Sequence, residues 1–447
     1  MLMLPPKPIS PKDKVSLWQY MKAFKQDILS AEPERLYRAW MAEFKNPFFR
    51  SYLVNQPELI QLILKERPDD FPKSYRVGEG LRPLLGESVF ITNGEDWKTQ
   101  RRIIDPAFEG GRLKETYPAM YNAAQAMVDR LSCGVHEVEE MASFAAADVI
   151  FRTLFSIPIE DEIASAVFHE FRNYQREQPI LNVAAFVPLP KWMPRFHSRQ
   201  TKSAACTIRR LIKDLTQMRM EKIRAGTAPL DLATKIMTTE DPQTGQRFDT
   251  AEMVDQVAIF FLAGHETSAS ALAWSLYLMA LYPDWQDRLA EEARILNEAF
   301  SSISRLCLTR AVFREALRLY PPVPMMVRET AKPETFRERV LKKGSTIVIS
   351  PWHLHRQNRL WDHPDDFDPD SWESENGRTC QREAFIPFSA GTRVCPGAEF
   401  AMIKGPLLLA NVLKSFRVST EGCDTPVPVA HLTVRAQHGI YLKFDKR

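Results

Sequence analysis

One segment limits the possible folds of this chain more than any other. Residues 249–282 read as a single unbroken helix. Asp249 and Glu252 have the spacing of an N-cap and its reciprocal partner, and Pro283 stops the pattern. A helix of about 33 residues is roughly 50 Å long. This one is apolar on most faces, so other layers must cover it and it must cross the centre of the molecule. Its most membrane-like stretch, residues 267–283, is uncharged but contains Ser and Thr and abuts His265 and Glu266. It falls short of the roughly 20 mostly apolar residues a span requires, which predicts a buried helix.

The rest of the chain supplies the covering layers. Helical spacing marks residues 17–30, 34–44, 57–65, 94–108, 302–320 and 398–413, and most of the middle to about residue 235. A Pro-rich interruption lies at 186–194. Strand signals fall at 52–54, 325–330, 346–350 and 441–444, a long, partly irregular loop is expected over 69–90, and 361–372 reads as coil. The predicted fold class is mainly α with a small β region. No linker or fixed-period repeat divides the 447 residues, so a single domain is expected, with about residues 1–30 as a lead-in.

Net charge is +3 with both signs well mixed, which gives no case for nucleic acid. None of the 6 cysteines forms a C-x-x-C pair, so zinc ribbons and thioredoxin-like motifs are unsupported. The cysteine usage suits reduced thiols in a cytoplasm. The opening Met1-Leu2-Met3-Leu4-Pro5-Pro6 is too short for a signal peptide or a transmembrane anchor.

The sharpest local signal is Phe388-Ser389-Ala390-Gly391-Thr392-Arg393-Val394-Cys395-Pro396-Gly397. A lone cysteine is usually a small buried hydrophobe. Here Arg393 and the start of the next helix favour thiolate over thiol, and Gly391 and Gly397 let backbone approach a flat ligand. The long helix carries Ala263-Gly264-His265-Glu266-Thr267-Ser268, an acid beside an alcohol in mid-helix, where a threonine hydroxyl can turn onto a preceding carbonyl. Glu315 and Arg318 are spaced to pair on one helix face. Trp97 and Arg101 lie one turn apart. Alone, each of these last features is more often a surface charge or a packing pair.

Together and in this order, they resemble the cytochrome P-450 family. The cysteine segment matches its F-x-x-G-x-R-x-C-x-G signature at every fixed position. The other segments match its A-G-x-[DE]-T, E-x-x-R and W-x-x-x-R elements. The resemblance implies a long helix over a buried heme b (iron protoporphyrin IX), with Cys395 as axial iron ligand within the loop Phe388, Gly391, Arg393 and Gly397. It places Ala263 and Gly264 on the distal heme face, gives Thr267 the task of orienting oxygen and water, and makes Glu266 a proton relay. His265 is expected to be structural. Trp97, Arg101, Arg328, His355 and Arg393 are expected to contact the cofactor, the arginines at its carboxylates. Glu315 and Arg318 become a buried structural pair. Two departures stand out. Ser371 occupies the place of the family's second arginine, with Arg356 as a possible substitute, and Gln100 stands where histidine often precedes Arg101.

The implied reaction is insertion of one oxygen atom from O2 into a C–H or C=C bond of a lipophilic substrate. Competing readings are a peroxide-using heme-thiolate enzyme, which Glu266-Thr267 argues against, and a non-enzymatic heme carrier or sensor. The chain ends 52 residues after Cys395, too few for a fused flavin domain, and it has no cluster-type cysteine run. Electrons are therefore expected from an external ferredoxin or flavodoxin with an NAD(P)H reductase. Lys98, Arg102, Arg112 and Lys114 are candidates for docking an acidic partner, or for a merely solvated face. Pocket walls are expected from residues 75–85, 168–196, 257–263, 323–327 and 429–434, including Phe260, Phe261, Leu262, Val323, Met325 and Met326. Arg76 and Arg82 are placed to hold a substrate carboxylate. Val187, Leu189 and Trp192 suggest a lid able to touch a membrane surface peripherally.

Overall fold

The long helix begins as its residue types dictate. The Asp249 carboxylate accepts from the Glu252 amide at 2.8 Å, and the Glu252 carboxylate accepts from the Asp249 amide at 2.9 Å. The helix then runs over Thr250–Leu281, and residues 269–279 are all buried. The structure is a computed structural model and describes residues 4–12, 16–45, 50–177, 199–430 and 432–447.

The helices that position the site are α1 (Tyr75–Leu85), α2 (Gly94–Ile104), α3 (Val138–Phe155), α4 (Glu162–Glu177), α5 (Arg199–Arg224), the long α6 (Thr250–Leu281), α7 (Cys307–Leu319) and α8 (Ala398–Ser415). α3, α5, α7 and α8 all pack on α6, α3 most extensively, which covers the apolar faces that the sequence left in need of partners. The strands that frame it are β1 (Met41–Lys45), β2 (Arg50–Val54), β3 (Gly134–Glu137), β4 (Met326–Glu329), β5 (Thr346–Ile349), β6 (Phe416–Ser419), β7 (Pro428–Ala430), β8 (Val434–Ala436) and β9 (Tyr441–Lys446), and a further short pair joins Glu334–Phe336 to Arg339–Leu341. One sheet has the order β1-β2-β5-β4, in which β2 and β5 are parallel and Arg328 lies opposite Ile347. A second has the order β3-β9-β6, and β7 and β8 form a hairpin.

Two segments differ from expectation. Residues 34–44 do not form one helix: a single turn at Glu34–Tyr37 gives way to β1, which pairs antiparallel with β2. Pairing with the next strand in the chain overrides helical spacing there. Residues 69–90, expected as a long, partly irregular loop, contain the helix α1. α1 forms despite Gly78, Gly80 and an internal Pro83, because Leu81, Leu84 and Leu85 make a buried stripe against α5 and α6. The following loop is tied down by the Glu87 amide donating to Asp255 at 2.7 Å and the Val89 amide donating to Gln256 at 2.9 Å.

Glu315 and Arg318 on α7 lock the core beside the cysteine loop. They pair through two bonds, at 2.9 and 2.7 Å, with both side chains buried. Arg318 also donates to the carbonyls of His355, Pro364 and Asp366. The amide of Asp368 donates to Glu315 at 3.1 Å, so backbone serves Glu315 in place of a second arginine. Ser371 turns its hydroxyl onto the Asp368 carbonyl. Arg356 is not the substitute: it packs over Trp352 at 4.1 Å and reaches Asp365 at 3.6 Å.

Candidate active site

The cysteine loop is held by main-chain bonds. The Cys395 amide donates to the Phe388 carbonyl at 2.9 Å, and the Val394 amide to the Gly391 carbonyl at 3.1 Å. Gly391 has a φ of +68°, and a Cβ there would stand 2.0 Å from the Leu64 carbonyl oxygen. Its glycine character serves packing against backbone near Leu64, whereas the sequence suggested approach to a ligand. Phe388 packs against the small cluster of Ala271, Phe313 and Leu317. Burial pushes the Cys395 thiol up, while the Gly397 amide and the charges of Arg101 and Lys404 pull it back down. Yet Cys395 keeps accessible surface. A residue both enclosed and accessible faces an internal cleft.

The long helix opens onto such a cleft at one place. Over residues 253–279, only Phe260, Ala263, Gly264, Thr267 and Ser268 are not buried. Their spacing of i, i+3, i+4, i+7 and i+8 puts them on one face, along about 12 Å of helix. The Thr267 hydroxyl donates to the Ala263 carbonyl at 2.5 Å. Gly264 also serves packing, since a Cβ there would meet Ile150 of α3 at 2.8 Å. Lys404 of α8 links the two sides. Its ammonium donates to the Gly264 carbonyl at 3.0 Å and feels the charge at Cys395, so sulfur and stripe are neighbours.

Glu266 is buried and committed. One carboxylate oxygen accepts from Thr433 at 2.7 Å and from Arg435 at 2.9 Å, and the other accepts from Gln175 at 2.9 Å. It thereby joins α6 to the β7–β8 hairpin and to the end of α4. His265 is held by the Ser143 hydroxyl at 2.6 Å, and burial keeps it neutral, down to about 3.

At the edge of the site, cations gather around Trp97. Arg393 lies 4.3 Å, Arg101 5.8 Å and Lys73 5.9 Å from its ring. Burial, then Arg393, pushes Arg328 down to about 10. Burial, then Arg393, Arg328 and Arg101, pushes Lys73 down to about 6. Arg101 has Asp105 at 2.7 Å, but no carboxylate pairs with Lys73, Arg328 or Arg393 among the described residues. Nε and Nη1 of Arg393 are buried without a hydrogen-bond partner. Stranded donors of this kind cost about 1–3 kcal/mol each, so the cluster is built for an anion. Gln100 instead serves structure, accepting from Thr92 at 2.6 Å and donating to the Glu87 carbonyl at 2.7 Å.

His355, expected among the cofactor contacts, uses both ring nitrogens on protein. Nε2 accepts from the Ile386 amide at 3.0 Å and Nδ1 donates to the Arg318 carbonyl at 3.3 Å. Burial and Arg318 push it down to about 3, so the ring is neutral and bridges α7 to the start of the cysteine loop.

The family model for Cytochrome P450 matches residues 31–444. The chain belongs to the cytochrome P450 family. It is an enzyme of the monooxygenase class, and the family's cofactor is a heme iron. Among similar proteins, cyclooctat-9-en-7-ol 5-monooxygenase of Streptomyces melanosporofaciens is 32% identical, over 83% of this chain and 80% of its own. Human cytochrome P450 4X1 is 28% identical, over 94% and 86%. The heme domain of a cytochrome P450DA mutant superposes with a TM-score of 0.82 at 24% identity, covering 99% of this chain and 98% of that one, which is a likeness of fold.

The P450 site fits an iron tetrapyrrole on its own observations. It offers an accessible sulfur, a stripe of helix about as long as the ring, and unpaired cations where two carboxylates would stand. Several expectations look different in this setting. Phe261 is buried with its ring centroid 4.3 Å from that of Phe151, and Leu262 is buried, so both belong to the core, whereas Phe260, Val323, Met325 and Met326 keep accessible surface. Arg82 is paired with Glu79 and Glu87, and Arg76 also has a partner, which removes free arginines from the entrance. Lys98, Arg102 and Arg112 are paired with Glu95, Asp241 and Glu115. Val187, Leu189 and Trp192 lie outside the described residues. No described helix is long and apolar enough to cross a membrane.

Sequence reasoning missed Lys73, Lys404 and the Gln175–Thr433–Arg435 set. Only Lys404 carried a signal, as a lone cation in the apolar run that follows the cysteine loop.

Proposed function

We propose that this P450 inserts one oxygen atom of O2 into a medium to large lipophilic substrate, with heme b held through Cys395. Its electrons would come from an external ferredoxin or flavodoxin and an NAD(P)H reductase. On this reading the whole chain acts as one domain in the cytoplasm. The observation that carries the reading is the accessible Thr267 stripe beside an accessible, enclosed Cys395. When bound, the heme supplies oxygen activation, which a thiolate ligand promotes.

The chain's own residues supply the rest. Arg101, Arg328, Arg393 and Lys73, with Trp97, would receive the carboxylates and fix the plane of the ring. The Thr267 hydroxyl, seated on the Ala263 carbonyl, is the group placed to hold a proton donor at the cleft. Glu266 has no uncommitted carboxylate oxygen, so its part is to fix α6 against α4 and the β7–β8 hairpin. The apolar surface of Phe260, Val323, Met325 and Met326 favours a lipophilic guest. The alkenol named for the Streptomyces relative is of that class. Thr267 on the accessible stripe weighs against peroxide-dependent chemistry as the main route.

Carbon monoxide bound to the reduced protein tests the ligand. A strongly red-shifted Soret band is expected in wild type, and its loss in Cys395→Ser. A histidine-type band in well-folded wild type overturns the assignment. Substrate class is tested by titrating terpenoids, steroids, fatty acids and small polar aromatics and reading the shift toward high spin. A response to the polar aromatics alone refutes a lipophilic guest.

A further inference from the structure

Lys404 is an unusual residue for its place. It is 1% exposed, in the middle of α8, two turns beyond the cysteine loop. Its stem passes Phe400, with Nζ 5.3 Å from the ring centroid. No carboxylate lies within ion-pair distance among the described residues, and its one hydrogen bond is to the Gly264 carbonyl. A buried ammonium is costly unless it is matched by charge or hydrogen bonds. Burial accordingly pushes Lys404 down to about 7, with the charge at Cys395 acting in the opposite direction. The residue is therefore an expensive way to fill space that a methionine would fill as well.

Its partner is specific. The carbonyl of Gly264 is taken by Lys404, and the carbonyl before it, that of Ala263, is taken by the Thr267 hydroxyl. Two successive carbonyls of α6 thus receive side-chain donors, one from the helix itself and one from the helix that leaves the cysteine loop. This happens on the accessible face of α6; farther along, the Ala271 carbonyl takes Ser275 and the Met279 carbonyl takes Gln286, each without such a neighbouring pair.

We propose that Lys404 is a positioning residue for the oxygen-binding turn. By gripping the Gly264 carbonyl it fixes where the Ala263–Thr267 turn stands relative to Cys395. It thereby fixes the Thr267 hydroxyl that the proposed function uses, and the inference rests on that reading. Without the grip, the carbonyl relaxes along the helix axis and the turn moves with it. Proton delivery then fails in a defined way. One O2 takes two electrons and two protons and leaves as H2O2, where the coupled reaction gives one oxygen atom to substrate and one to water.

The experiment compares Lys404→Met, which keeps the stem and loses the donor, with Lys404→Gln, which keeps an N–H donor without the charge. Both are checked first for the thiolate-type spectrum with carbon monoxide. Amide hydrogen exchange of the ferric holoprotein over residues 260–270 reads the turn directly. Peroxide formed per NAD(P)H consumed reads its consequence. Lys404→Met should speed exchange there by about tenfold and raise the peroxide share at least about threefold, while Lys404→Gln stays within about twofold of wild type on both. Unchanged exchange and coupling in Lys404→Met overturns the proposal. So does a Lys404→Gln variant that behaves like the methionine variant, because charge and not the grip would then matter. If Lys404→Met does not fold, the glutamine variant decides: loss of coupling in it overturns the proposal, and retention supports it. A wild type without the thiolate band sinks the proposed function instead, and exchange over 260–270 still tests the grip.

Discussion

Replacing Arg318 by methionine should remove a large share of the stability of the whole domain. Arg318 makes five hydrogen bonds: two to Glu315 and one each to the carbonyls of His355, Pro364 and Asp366. Its side chain is 2% exposed and that of Glu315 is 0% exposed. After the substitution Glu315 keeps only the Asp368 amide at 3.1 Å. Breaking one partner from a buried pair costs about 3–5 kcal/mol, because the other charge stays buried. Stranding even one of the three carbonyls adds about 1–3 kcal/mol. The sum, roughly 5 kcal/mol, compares with about 5–15 kcal/mol for a typical domain. The double variant Glu315→Leu with Arg318→Met removes the stranded carboxylate as well and should recover about 3 kcal/mol of that loss. Urea unfolding followed by tryptophan fluorescence is well suited, since Arg318 sits 5.0 Å over the Trp361 ring. The heme Soret band should be recorded on the same samples. A single variant that loses less than about 2 kcal/mol, or a double variant no more stable than the single, would refute the reasoning.

Three further outcomes follow from the site. Thr267→Ala should divert most reducing equivalents to peroxide, whereas Glu266→Gln, whose carboxylate is already committed to Thr433, Arg435 and Gln175, should stay better coupled; the reverse ranking of peroxide yields contradicts the assignment. Burial and neighbouring arginines hold Lys73 at about 6 in the folded protein, below the roughly 10.4 of a free lysine. The unfolded chain then binds the extra proton, so stability of heme-free protein should rise with pH through that window. Lys73→Met should flatten this slope and speed heme loss to a scavenger; an unchanged slope in urea titrations removes Lys73 from the cluster. Because Arg82 is paired with Glu79 and Glu87, fatty acids and their methyl esters should differ by less than about threefold in spectral Kd. A clear preference for the acids would show that the entrance pairs open for a carboxylate.

What the sequence determined by itself was local. The Asp249–Glu252 cap, the stop at Pro283 and the apolar length of α6 depend on neighbours within a turn, and the structure reproduces them closely. The cysteine segment was likewise readable, because its residue types are tied to one another over ten positions. What the sequence could not settle was which partner each polar atom would choose. Glu266 and Thr267 are adjacent in the chain, yet one is committed to Gln175, Thr433 and Arg435 and the other faces the cleft. His355 looked like a cofactor contact and became a bridge from Arg318 to Ile386. Gly391 was read as room for a ligand and proves to be room for the Leu64 carbonyl. Lys73, Arg101, Arg328 and Arg393 come from four separate segments and meet only around Trp97 and its neighbours. Hydrogen bonds and charges act over a few ångströms, and those distances are set by how helices and strands far apart in sequence pack. A helix therefore announces itself in the chain, while the choice of partner for a buried carboxylate or ammonium is made only when tertiary packing brings the candidates within reach.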